Sequence, residues 1–264
     1  FIYLQLIFRE YEKINNLMWF EDKGYYGQYL YGRKFRSLSP RAEALGEAFA
    51  VLFDVAGDER KQLVLMNTPV TPFGITCIYP QIPGIPPYHN NGIWPFVQAF
   101  WTLANAENKH TDAVEEGLAS IIRPAALFLT SKENFVAENG DFAGTEVNSD
   151  RQLWSVAAML AMHHRVLMGI RFEKERMGFS PVIPKSFRGS YSLMNFRYRN
   201  GTYNIAVKGY GDGIASFKID GVKSPHNFIP ATLTGNHTVE IIMNGNTSRR
   251  SQNKTDNYTA PETP

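Results

Sequence analysis

Four polar segments of the sequence carry residue types that can bind a sugar and move a proton. They span residues 39–46, 87–96, 132–140 and 148–155. Their carboxyl groups can act as general acid or base, their amides and guanidinium groups can hydrogen-bond hydroxyls, and their indole rings can stack on a sugar face. Each segment adjoins the start of a predicted helix, where N–H groups are unpaired and the helix dipole is positive. The pattern predicts a pocket for a hydroxyl-rich ligand at one end of a helical bundle.

Helix capping is the competing interpretation of the same residues. Ser39, Asn90, Ser149 and Asp150 are favoured N-cap types, and Glu43 follows Ser39 at a spacing that could close a capping box. Taken one at a time, these residues fit capping better than ligand binding. Only their recurrence at four helix starts favours a site.

The elements that must position these segments are helical as far as about residue 169. Apolar residues recur there at helical spacing, and Pro40 is expected in the first turn of the second helix. Short turns join the helices in pairs, and two long connections, 67–90 and 130–149, separate the pairs. The sequence therefore predicts an array of αα-hairpins. The predicted helices cover 4–17, 42–56, 58–66, 91–106, 111–129 and 150–168.

Beyond about residue 179 the pattern changes to short alternating runs that are typical of strands. Asn-Gly and Asp-Gly turns separate the runs 191–199, 202–210, 215–222 and 238–243. This half predicts a small antiparallel, β-sandwich-like domain over 179–246. Residues 247–264 contain almost no apolar side chains and are expected to form a disordered tail.

Composition narrows the class of partner. The 27 Lys and Arg residues nearly balance the 25 Asp and Glu residues, so net charge favours neither nucleic acid nor a membrane surface. Aromatic residues make up 13% of the chain, which favours a neutral ligand such as an oligosaccharide or glycoside. A single cysteine, Cys77, excludes an intrachain disulfide and a cysteine metal cage. We expect no cofactor and no metal.

The first residues, FIYLQLIFREYEKINNLMWF, contain neither an initiator Met nor a signal peptide. We interpret Phe1 as a cut inside a longer protein. A secretion signal would then lie upstream, and a secreted or periplasmic location is favoured.

The order of four motifs resembles a known enzyme superfamily. RAEALGEA, PQIPGIPPYHNNGIWPFVQAFWTLA, ENFVAENG and NSDRQLWSVAAML follow one another. This order is similar to the rear half of the six-hairpin glycoside hydrolases related to processing α-glucosidase, trehalase and glucoamylase. The resemblance implies a mainly α fold in which residues 1–178 form the rear part of an (α/α)6 barrel.

The same resemblance implies roles for individual residues. Glu133 matches the position of the general base, with Glu138 and Glu146 as rivals. The general acid is expected in upstream sequence, because only Glu21, Asp22 and Glu43 could replace it here. The substrate-binding residues are expected to be Arg41, Glu43, Tyr88, His89, Asn90, Trp94, Gln152 and Trp154, with Trp94 or Trp154 as the stacking platform.

The implied function is inverting, exo-acting hydrolysis of α-linked sugars such as glucosides. Two alternatives stay open. A helical barrel can also carry a sugar epimerase or a polysaccharide lyase, since fold alone does not decide function. The chain could instead be a carbohydrate-binding remnant that lacks part of its catalytic machinery.

Overall fold

A computed structural model describes residues 2–255, with side chains described from Arg9 onward. It is a mixed α/β structure with 31% helix and 28% strand. The helices in this part of the chain are α1 Ile2–Leu17, α2 Ala44–Leu52, α3 Asp58–Asn67, α4 Pro95–Glu107, α5 Thr111–Phe128 and α6 Leu153–Ala161. A π-helical turn, Met162–Leu167, continues α6, and a 3₁₀ turn covers Lys185–Phe187.

The strands fall into several small sheets and one larger sheet. The strands of the first half are β1 Trp19–Phe20, β2 Tyr25–Tyr26, β3 Leu30–Tyr31, β4 Ser37–Leu38, β5 Ala42–Glu43, β6 Ile78–Tyr79, β7 Gly92–Ile93 and β8 Phe135–Val136. Those of the second half are β9 Ile170–Phe172, β10 Arg176–Phe179, β11 Gly189–Tyr198, β12 Gly201–Gly209, β13 Ile214–Ile219, β14 Val222–Lys223, β15 Phe228–Pro230 and β16 Gly235–Met243.

The expected (α/α)6 barrel is wrong, and so is the assignment to that glycosidase superfamily. The described residues hold six helices beside many antiparallel strand pairs, which is not the architecture of a helical toroid. Four antiparallel ribbons form in the first half: β1–β2, β3–β4, β5–β6 and β7–β8. Sequence periodicity missed them because a two-residue strand is too short to show alternation.

The start of α2 illustrates how a ribbon replaced a helical turn. We expected a helix from residue 42 with Pro40 in its first turn, but Ala42 and Glu43 pair with β6. The helix begins at Ala44, and the Glu43 side chain caps it by accepting from the N–H groups of Leu45 (3.3 Å) and Gly46 (2.7 Å). A carboxylate is well suited to this position because the helix dipole is positive there.

The larger sheet is mixed, which corrects the expectation of a purely antiparallel domain. Its strand order is β11-β12-β16-β13-β14, and β12 runs parallel to β16. Side chains alternate along β12, with Tyr203, Ile205 and Val207 buried on one face, as a half-buried strand requires. This alternation predicts which face is buried but not the direction of the neighbouring strand.

The described chain divides into two compact units. One contains the described residues up to Ala104, then Ala119–Ala158 and the described residues from Ser251 onward. The other contains Asn105–Leu118 and Met159–Arg250, including the larger sheet. In the first unit, buried apolar side chains of α2, α3 and α4 form the main core.

Part of the segment expected to be a disordered tail makes backbone hydrogen bonds. In the second unit, the N–H of Thr111 donates to Ser248 O at 3.0 Å. In the first unit, Val70 N donates to Asn253 O and Thr255 N donates to Val70 O, both at 2.9 Å. Residues 256–264 of the expected tail lie outside the described residues.

Among residues 2–255, every helix lacks the length or the apolar character that crossing a membrane requires.

Phe217 tests the core of the larger sheet. Its side chain is 2% exposed and contacts the Phe179 ring at 5.4 Å between centroids. Phe217→Ala removes this ring and leaves a cavity, so we expect a loss of about 3–5 kcal/mol in the free energy of unfolding. Urea denaturation measures it. Phe172→Ala, at a 59% exposed position of the same unit, should cost far less, and equal losses would contradict this description of the core.

Candidate functional site

Glu133 is a buried carboxylate held by two hydroxyl groups. Its side chain lies just before β8, and the residue is 7% exposed. Tyr88 Oη donates to Oε1 at 3.1 Å, and Ser149 Oγ donates to Oε2 at 2.8 Å. Both carboxylate oxygens therefore accept hydrogen bonds from neutral donors. This arrangement suits a group that accepts protons or positions a polar ligand.

The backbone around Glu133 is fixed by a small amide network. Asn148 Oδ1 accepts from Glu133 N at 3.2 Å, and Asn148 Nδ2 donates to Asn134 O at 2.8 Å. Asn134, fully buried, donates in return to Val147 O at 3.0 Å. Lys132 pairs with Asp150 at 2.7 Å. The two sides of the connection 130–149 are thus joined at the point where the carboxylate projects.

The β7–β8 ribbon positions Tyr88 close to Glu133. Gly92 and Ile93 pair with Val136 and Phe135, and Ala137 N donates to Asn91 O at 3.0 Å. Gly92 is required here because a Cβ atom would stand 1.7 Å from Tyr88 O. Burial and the hydrogen bond to Glu133 raise the pKa of the Tyr88 hydroxyl, so it remains a donor at neutral pH.

Aromatic rings form a wall beside this carboxylate. The Tyr88 ring lies 4.7 Å from His89 and 5.0 Å from Trp94, and Trp154 contacts Trp94 at 5.6 Å. Phe96 completes the wall by contacting Trp154 at 5.3 Å. We define these five residues, Tyr88, His89, Trp94, Phe96 and Trp154, as the aromatic wall. The structure therefore brings Tyr88, Glu133 and Trp154 around one site.

The two tryptophans of the aromatic wall differ in their availability to a ligand. Trp94 is only 2% exposed, its Nε1 donates to Tyr88 O at 2.9 Å, and His89 stacks on it at 4.7 Å. Trp154 is 43% exposed at the start of α6. Of the two stacking platforms considered from sequence, only Trp154 is exposed enough to contact a ligand.

Three other expected substrate-binding residues are occupied in holding loops and a helix. Asn90 Oδ1 accepts from Ile82 N at 2.6 Å, and Asn90 Nδ2 donates to Ile82 O and Ile85 O. Arg41 Nε donates to Pro80 O at 3.1 Å, and Glu43 caps α2. Burial raises the pKa of the Glu43 carboxyl, while the capping N–H groups and His89 act in the opposite direction.

Gln152 and the two rival carboxylates complete the expected set. Gln152 Nε2 donates to Ser149 Oγ at 3.1 Å, which links it to Glu133 through one hydroxyl. Glu138 is exposed on the same connection. Glu146 is also exposed, and its charge contributes to the raised pKa of Tyr88. Of the three carboxylates, only Glu133 is buried.

Sequence reasoning missed the role of Ser149 and Asn148. Ser149 was interpreted as a possible helix cap, but α6 begins at Leu153 and the hydroxyl donates to Glu133. The available signal was the run Asn148-Ser149-Asp150 itself, which is rich in short polar groups that bond locally as readily as they cap.

No three His, Cys, Asp or Glu side chains among the described residues are grouped so that they could hold a metal ion. Burial raises the pKa of the Cys77 thiol, which makes it a poor nucleophile and a poor ligand.

Comparison of the chain with protein-family models and with curated proteins finds no match.

Asn90→Ala tests whether Asn90 holds the loop. The substitution leaves Ile82 N without its partner, and the residue is 4% exposed, so we expect a loss of about 1–3 kcal/mol in the free energy of unfolding. Thermal or urea unfolding measures it. Asn16→Ala, at an exposed position of α1, is the matched control and should leave stability nearly unchanged. If Asn90→Ala is as stable as the unmodified chain, Asn90 does not hold the loop, and its side chain is available to bind a ligand.

Proposed function

We propose that this chain carries a glycoside-hydrolysing site in which Glu133 is the general base. The observation that carries the proposal is a buried carboxylate with two hydroxyl donors, one of which, Tyr88, belongs to the aromatic wall that also contains the exposed Trp154. Sugars have apolar C–H faces that stack on such rings, and hydroxyls that bond to such polar groups. The site thus combines sugar stacking with a proton acceptor.

We infer that Glu133 acts on a water molecule. An ionised carboxylate has about four lone-pair sites, and Tyr88 and Ser149 use two of them. A water bonded to a third site would lose its proton to Glu133 as its oxygen attacks the anomeric carbon. The bond from that carbon to the leaving oxygen then breaks. Attack from the face opposite the leaving group inverts the configuration.

The leaving oxygen of an ordinary glycoside needs a proton from a second carboxyl group. We assign no residue of this chain to that role. Glycosyl fluorides avoid the requirement, because fluoride leaves without general-acid assistance. Hydrolysis of glycosyl fluorides therefore tests the general base separately from the general acid.

Glu133→Gln is the decisive substitution. It keeps the shape of the side chain and removes the base, so we expect hydrolysis of an accepted glycosyl fluoride to fall by about 10²–10⁴-fold. A panel of α- and β-glycosyl fluorides should be screened by fluoride release, with the product anomer determined by NMR. Glu138→Gln, an exposed carboxylate on the same connection, is the control and should retain activity.

Glu146→Gln separates the remaining rival, because this carboxylate lies close enough to Tyr88 to influence its pKa. If Glu133→Gln hydrolyses the fluorides at the normal rate, the base assignment fails. If the unmodified chain binds sugars but hydrolyses none of the fluorides, the carbohydrate-binding alternative replaces hydrolysis.

Trp154→Ala tests the stacking platform. Removal of the exposed ring should weaken sugar binding, measured as a rise in KM or in the Kd of a bound sugar, with a smaller change in kcat. Leu153→Ala removes a 77% exposed apolar side chain from the adjacent position and should change neither constant. Equal sugar affinity in Trp154→Ala and the unmodified chain would show that the ring is no platform.

A further inference from the structure

A concave site lies between α1, α2 and the strand β2 in the first unit. It is a cavity of about 240 Å³. Apolar side chains supply most of its lining, and two carboxyl-bearing residues, Glu43 and Glu47, lie one helical turn apart on its α2 side. The main apolar lining residues are Ile14, Met18, Phe49, Phe53 and Val55.

Glu47 is the unusual residue of this cavity. It is 2% exposed, its Oε1 accepts from Tyr26 N at 2.9 Å, and its Oε2 has no hydrogen-bond partner in the described structure. Burial raises the pKa of this carboxyl well above its usual range, and the nearby Glu43 raises it further. A buried polar atom without a partner costs about 1–3 kcal/mol, so a group that engages Oε2 would remove a real penalty.

The two carboxyl groups of the cavity have no ion-pair partner among the described residues. No Lys, Arg or His lines it, and neither Glu43 nor Glu47 takes part in an ion pair within residues 9–255. Glu43 directs its oxygens to the N–H groups that it caps. Arg60, which lies near Tyr26, bonds instead to Asn15 and Glu21.

We propose that this cavity binds a small organic amine whose apolar body packs on the Phe49 and Phe53 side and whose nitrogen contacts Glu47 Oε2. A neutral amine would accept the carboxyl proton and become an ammonium ion. A ligand that arrives as an ammonium ion would displace that proton to solvent. In both cases a carboxylate–ammonium pair forms, with Glu43 adding a second negative charge nearby.

The neutral alternative is a ligand whose oxygen accepts a hydrogen bond from a protonated Glu47. It would satisfy Oε2 but would gain nothing from the two carboxyl groups together. The lack of any lining cation therefore favours the amine. This inference does not depend on Glu133 or on sugar hydrolysis.

The test compares 2-phenylethylamine with 2-phenylethanol, which match in size and apolar body. Isothermal titration calorimetry on the complete 264-residue chain should give at least about tenfold tighter binding for the amine, since a charge-assisted hydrogen bond is stronger than a neutral one. Repeating the titration in buffers of different ionisation enthalpy should show proton release from the protein. Equal affinities, no binding of either probe or no proton release would overturn the proposal.

Glu47→Gln tests whether amine binding depends on Glu47. Gln keeps an oxygen for the Tyr26 N–H and loses the charge, so amine affinity should fall about tenfold or more while alcohol affinity stays unchanged. Glu59→Gln, at an exposed position of α3, is the control and should bind both probes as the unmodified chain does. Undiminished amine binding by a folded Glu47→Gln variant would refute the assignment. If that variant fails to fold, the comparison of the two probes on the unmodified chain decides.

Discussion

The burial of the Glu133 carboxylate is the constraint on which the organisation of the candidate site depends. A carboxylate removed from water must be hydrogen-bonded, because burying an unpaired charge costs several kcal/mol, about 3–5 when a partner is lost. Tyr88 and Ser149 meet this requirement from opposite directions along the chain. Each belongs to a different long connection, so the carboxylate holds together two segments that would otherwise be independent loops.

The β7–β8 ribbon joins the same two segments through backbone hydrogen bonds. It pairs Ile93 with Phe135, which fixes the positions of Trp94, directly after β7, and of Glu133, two residues before β8. Long loops ordinarily have few internal bonds and are mobile. Here the ribbon and the Asn148 amide network fix the positions of the loop residues. A site that binds a ligand in one orientation needs such fixed positions.

Part of this organisation could be predicted from the sequence. The helix from Thr111 and the buried alternation of β12 follow from periodicity, and the polar segments around Tyr88, Glu133 and Trp154 do come together. The predicted barrel was wrong, because periodicity describes each element separately and does not indicate how the elements are arranged. The parallel pairing of β12 with β16 and the two-residue ribbons were missed for the same reason: they are set by long-range hydrogen bonds. Capping propensity likewise misjudged Ser149, whose partner is 16 residues away.

The two buried carboxyl groups of the first unit show why burial alone does not define a role. Glu133 has both oxygens satisfied by hydroxyl donors, so its ionised form is solvated by the protein. Glu47 has one oxygen bonded to a backbone N–H and one without a partner, and burial raises the pKa of its carboxyl group. A Leu or Met at residue 47 would remove the unpaired Oε2, but it would also leave the buried Tyr26 N–H without its acceptor. The bond from Tyr26 N therefore accounts for one oxygen of Glu47, and a ligand that engages Oε2 would account for the other.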